Sequence, residues 1–167
     1  MRKIITNLGT RDLTRAVKEI NDYRREIADK VKLFVETLQA EGISVANASL
    51  VNIRGDSTNA GVVSYDVNSS GDIVGAVIAL EGKDALFVEF GAGIQFNPVD
   101  HPLAAQLGYG IGTYPSKHPP NKAIFPGYWY YGDGRLSVGT EAAMPMYKAA
   151  ENARNTYIRK AVEIFRS

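Results

Sequence analysis

Cysteine is absent from this chain, which excludes disulfides and thiolate-bound metal. Histidine occurs twice, at His101 and His118, seventeen positions apart among prolines. A metal site built on them would draw its remaining ligands, Asp100 or Asp133 for example, from separate loops. Net charge is also scarce, at +1 over 167 residues. No apolar run approaches the ~20 residues of a membrane-spanning helix. Residues 1–7 lack the long apolar segment of a secretory signal, so synthesis in the cytoplasm and no membrane partner are expected. Gly-x-Gly-x-Gly at 108–112 tempts a phosphate-loop reading, but Tyr114-Pro115 follows where a helix would have to open. No serine has a partnering histidine at a recognised catalytic spacing.

What remains is an ordinary globular composition, 45% hydrophobic and 22% charged, enough for one core and one domain over 1–167. The charge is uneven. Residues 1–32 carry nine basic against five acidic side chains. Nucleic-acid binding normally shows a stronger basic excess, and here the basic residues alternate with acids as on a solvated helix face.

Leu13, Val17, Ile20, Ile27, Val31, Phe34 and Leu38 recur at spacings of three and four, which predicts an amphipathic helix over 11–40. Thr10 is the expected N-cap and Gly42 the expected stop. Such a helix is about 45 Å long, more than a small domain needs, so an overhang onto a neighbour is expected. Opposite charges four apart, such as Arg15/Glu19, Arg25/Asp29 and Glu26/Lys30, mark its wet face. Residues 43–57 read equally as a short second helix or as extended chain, with Arg54-Gly55-Asp56-Ser57 as a turn.

Residues 60–80 predict an antiparallel hairpin, with turn residues at 69–72 and a bulge near Gly75. Asp84 is expected to cap a short helix over 84–91. Its Glu89 is the one acid in an apolar patch, suited to accept backbone N–H bonds or pair with an arginine. From 92 to 127 the chain is a long Gly/Pro/aromatic loop. Its aromatics argue against plain disorder and for contact with a partner. Tyr128-Trp129-Tyr130-Tyr131, Asp133-Gly134 and Arg135–Gly139 predict a second hairpin over 128–138. A C-terminal helix over 145–165 follows, opened by Pro145. The fold class is therefore α+β: an antiparallel sheet of two hairpins flanked by the two long helices.

Ala85-Leu-Phe-Val-Glu-Phe-Gly-Ala-Gly93 resembles the Tyr/Phe-Val-Glu-Phe-Gly-Thr-Gly signature of the minor-tail, or head–tail joining, proteins of long-tailed double-stranded DNA phages. Gly127–Tyr131 before Asp133–Leu136, and Gly139–Tyr147 entering the last helix, follow in the same order. Ala92 stands where that family has Thr, and Ala143-Met144 where it has Ala-Arg. The resemblance implies a non-enzymatic neck or tail-completion subunit of a phage or prophage virion, made in the host cytoplasm. It implies a homo-oligomeric ring, other neck and tail proteins as partners, and DNA passing through the lumen without specific recognition. No cofactor or metal is expected. The residues expected to carry protein contacts are Phe87, Glu89, Phe90, Gly91, Tyr109, Tyr114, Tyr128, Trp129, Tyr130, Met144 and Pro145. The competing expectation is a small metal-dependent hydrolase or ligand-binding domain using Glu89, His101 and His118. A nucleic-acid-associated protein working through the basic first helix is the third.

Overall fold

A computed structural model describes residues 9–51, 53, 59–69, 72–91, 101–107, 129–130, 136–137 and 139–166. The chain is α+β. Its elements are helix α1 (Thr10–Leu50), strands β1 (Gly61–Ser69) and β2 (Asp72–Glu81), helix α2 (Ala85–Phe90), short strands β3 (Trp129–Tyr130) and β4 (Leu136–Ser137), and helix α3 (Pro145–Arg166).

Helix α1 is longer than its expected 11–40 span. It runs 41 residues, about 62 Å at 1.5 Å per residue. It opens one residue early. Gly9 precedes the first turn and Thr10 is already helical, its carbonyl accepting the Thr14 hydroxyl at 3.0 Å. The larger correction is Gly42, expected as the stop, which lies buried inside the helix. A Cβ added at Gly42 would collide with Cδ1 of Ile78 on β2. The glycine therefore sits where helix and sheet approach most closely, and the helix continues to Leu50. The two-way reading of 43–57 resolves to helix as far as Leu50, while the 54–57 turn lies outside the described residues.

The first hairpin pairs Gly61↔Glu81 through Ser69↔Asp72. Its register slips after Val67↔Gly75, leaving Val74 as the extra residue of the bulge expected there. One face, with Ala76, Ile78 and Leu80, turns toward α1, where Gln39 Nε2 donates to Asp66 Oδ1 at 3.2 Å. The other face leaves Tyr65, Val67 and Val77 exposed. Asp84 was expected to cap α2, but its carboxylate instead accepts the Asn59 N–H at 2.9 Å, while its own N–H donates to the Asn59 carbonyl at 3.0 Å. This pair closes the base of the hairpin. Strands β3 and β4 pair antiparallel, and among the described residues each hairpin is its own two-stranded sheet.

Helix α3 lies antiparallel along the C-terminal half of α1. Lys160 pairs with Glu41, and Phe165 meets Phe34 edge-on at 6.2 Å. Toward the N-terminus of α1 the apolar stripe continues; Ala16 is buried there, while Leu13, Val17, Ile20 and Tyr23 are 41–57% exposed. The wet face carries the expected ion pairs Arg15–Glu19 and Glu26–Lys30, but Arg25 pairs with Asp22, three residues back, rather than Asp29. Each is worth a few tenths of a kcal/mol at most.

Replacing Gly42 by Val tests the helix–sheet approach. The side chain must displace Ile78, at an expected cost of about 1–3 kcal/mol. Urea unfolding should recover part of that loss when Ile78 is shortened to Ala in the same chain. Wild-type stability in the single variant would contradict the close approach.

Candidate functional site

Helix α3 begins at Pro145, which has no N–H to leave unsatisfied. Helix N-termini expose N–H donors that are normally capped by a local Ser, Thr, Asp or Asn. Met144 stands at that position and has no side-chain acceptor of that kind. The cap arrives from far upstream. Glu89, on the last turn of α2, places Oε2 2.9 Å from the Met146 N–H and Oε1 2.9 Å from the Tyr147 N–H. The next donor, Lys148 N–H, reaches the Met144 carbonyl at 3.0 Å and starts the helical ladder. Every backbone donor of the first turn is thus accounted for. A carboxylate here also lies at the positive end of the α3 dipole.

Oε1 of Glu89 takes a further bond from His101 Nε2 at 3.1 Å. His101 stands beside a proline in the sequence, yet it is 3% exposed. Its Nδ1 accepts the Leu103 N–H at 3.1 Å. This pattern selects the tautomer with the proton on Nε2, donating to Glu89. The ring lies between Phe90 and Tyr147, at centroid distances of 4.4 and 5.3 Å. The Tyr147 hydroxyl donates outward to Glu151 at 3.0 Å, and that hydrogen bond, with burial second, holds its pKa above the usual tyrosine value.

The backbone around the cap is tightly specified. The Ala143 N–H donates to the Val88 carbonyl at 2.9 Å, fastening residues 139–144 to α2. Gly91 has φ 75°, and a Cβ there would stand 3.1 Å from the Ala142 nitrogen. Met144 takes φ 56°, a left-handed conformation costing about 1–3 kcal/mol for such a residue. That turn aims α3 at Glu89. Val88, Thr140 and Pro145 surround it, each under 2% exposed. An apolar groove of about 660 Å³ opens between α1, β2, α2 and α3, lined by Leu38, Ile78, Leu80 and Ala149 and also by Glu89 and Phe90.

Of the residues expected to carry contacts, Glu89, Phe90, Gly91, Met144 and Pro145 converge on this cap. Glu89, Phe90, Gly91 and Pro145 are buried within the chain itself, so they act on any partner only through what they hold in place. Phe87 is half-buried on α2. Only the backbone of Trp129 and Tyr130 is described, in β3. Tyr109, Tyr114, Tyr128 and His118 lie outside the described residues. Sequence reasoning found Glu89 and its taste for backbone N–H donors. It grouped Glu89 with His101 only in the hydrolase or ligand-binding reading, and it missed Tyr147, because no local spacing links positions 89, 101 and 147.

Both Glu89 oxygens and both His101 nitrogens are occupied by protein partners. A general base needs a lone pair open to substrate; here three protein donors meet the carboxylate, two at Oε1 and one at Oε2, and Glu89 is 8% exposed. Among the described residues no group of three or more His, Asp or Glu side chains is arranged to hold a metal ion. Among them, too, no helix is long and apolar enough to cross a membrane. No family model matches the chain, and no curated protein or solved structure matches it.

Glu89→Ala should cost about 3–5 kcal/mol in urea unfolding, because two helix donors and the histidine lose their acceptor together. Glu89→Gln should recover only part, since its amide sets N–H against N–H at one of the two oxygens. A loss within ~0.5 kcal/mol, as at an ordinary surface site, would remove Glu89 from the centre of the fold.

Proposed function

We propose that this chain is a structural subunit that works by protein–protein assembly, of the phage neck or tail-completion type. The observation that supports a structural rather than catalytic role is the engagement of both Glu89 oxygens and both His101 nitrogens by protein partners. Among the described residues the buried acid, Glu89, and the buried histidine, His101, both hold α2, α3 and residues 101–107 together. The likeness of residues 85–93 to the head–tail joining signature supplies the kind of assembly. In that signature the Glu-Phe-Gly core is the part that forms the cap here, so the most distinctive letters answer to an architectural demand.

Assembly also accounts for the apolar surface left bare. Leu13, Val17 and Ile20 continue the stripe that α3 covers further along α1. A helix segment with that stripe uncovered is marginal alone in water, and contact with neighbouring subunits would bury it. The subunit would take its place in a closed ring between head and tail, with DNA passing through the lumen. The hydrolase reading would need Glu89 or His101 to release a bond that now holds the fold.

The test is excision of residues 108–124, which spares the packed residues 101–107. The shortened chain should keep its melting temperature within a few degrees. It should fail to join heads to tails when supplied to particles lacking the native subunit. Infectious particles completed by the shortened chain would overturn the assignment of contacts to the loop. A measurable hydrolytic turnover lost on replacing Glu89, His101 and His118 would overturn the structural role itself.

A further inference from the structure

Residues 101–107 differ from the rest of the core in how they are attached. Their hydrogen bonds are mostly internal. Ala104 N–H donates to the His101 carbonyl at 3.0 Å, Leu107 N–H to the Leu103 carbonyl at 3.0 Å, and Leu103 N–H to His101 Nδ1 at 3.1 Å. These bonds move with the segment. Among the described residues a single hydrogen bond, His101 Nε2 to Glu89 Oε1, ties it to the other elements. Two side chains anchor it by burial, His101 between its aromatic neighbours and Ala104, each 3% exposed. Pro102, Ala105, Gln106 and Leu107 are exposed. The two helix donors on Glu89, in contrast, reach it directly and make no bond through the histidine.

We propose that residues 101–107 form a strap that leaves and re-enters the fold as one unit, keyed by the His101 imidazole in a seat made of Glu89, Phe90 and Tyr147, while α3 stays capped. The seat reads an imidazole by its two nitrogens. One must present an N–H to Glu89, and the other a lone pair to the Leu103 N–H. The rings of Phe90 and Tyr147 flank the plane between them. Departure of the strap takes His101 away from Glu89 and Phe90, two of the residues that also line the 660 Å³ groove. The inference is independent of the assembly reading, because it concerns the order in which parts of a single chain open.

Native-state hydrogen exchange on the unmodified protein tests it directly. The amides of Leu103, Ala104 and Leu107 should exchange at least tenfold faster than those of Met146 and Tyr147, as a separate sub-global opening. A shared rate for both sets would mean that strap and cap open together, and would overturn the proposal. A second arm uses His101→Gly with free imidazole as the probe. Imidazole should raise the melting temperature of this variant and restore protection at Leu103, with no such shift in the unmodified protein. 1-Methylimidazole, which has no N–H to give Glu89, should do neither. Equal effects of the two compounds, no effect of either, or a variant that loses protection at Met146 and Tyr147 even with imidazole would each overturn it.

Discussion

The carboxylate of Glu89 at the start of α3 is the interaction on which the rest of this fold depends. A six-residue helix cannot hold itself together in water, and α2 is one. A helix opened by Met144-Pro145 has no local cap. Each supplies what the other lacks. Helix α2 carries the acceptor, and α3 offers the donors and the length to pack along α1. The Ala143–Val88 bond, the tight passage at Gly91 and the left-handed Met144 then follow as conditions for bringing carboxylate and helix end into register. Strain at Met144 is tolerated because the fully buried Pro145 and the two capped amides fix the same turn.

Helix α1 supplies the frame for that cap, and its two halves behave differently. The C-terminal half meets β2 at Gly42 and α3 through Phe34 and Glu41. The N-terminal half keeps the same stripe, where Ala16 is buried but Leu13, Val17 and Ile20 remain 44–57% exposed. The hairpin repeats the pattern, one face on α1 and the other showing Tyr65, Val67 and Val77 to solvent. Burial favours apolar side chains at roughly 25 cal/mol per Å². A chain that leaves several such side chains bare on two elements is suited to contact with further protein surface. The assembly reading draws on this, together with a site whose polar atoms are already spoken for.

Much of the architecture was legible from periodicity. The 3–4 spacing from Leu13 onward and from Met146 onward marks both long helices, and β-formers on either side of Gly71-Asp72 mark the first hairpin. Misreadings cluster at residues whose role is tertiary. Gly42 looks like a helix stop because glycine usually ends helices; it is internal because Ile78 needs the space. Asp84 looks like a cap because aspartate usually caps; its carboxylate holds Asn59 instead. His101 has Asp and Pro as its chain neighbours, which say nothing of burial; it is buried with Nε2 donating to Glu89 Oε1.

The amino-acid order by itself determined the α+β class, the lengths of apolar stripe, the absence of thiol chemistry, and the choice of Glu89 as an acid seeking backbone donors. Those properties are local, set by side-chain type and by periods of two and 3.6 residues. Only the tertiary structure decided which donors Glu89 would meet, that His101 would join it, and that Gly42 would serve as a gap instead of an end. Such pairings join positions 12 to 58 residues apart. No local period encodes them; they are fixed when α2, α3 and residues 101–107 close around one buried carboxylate that takes three donors.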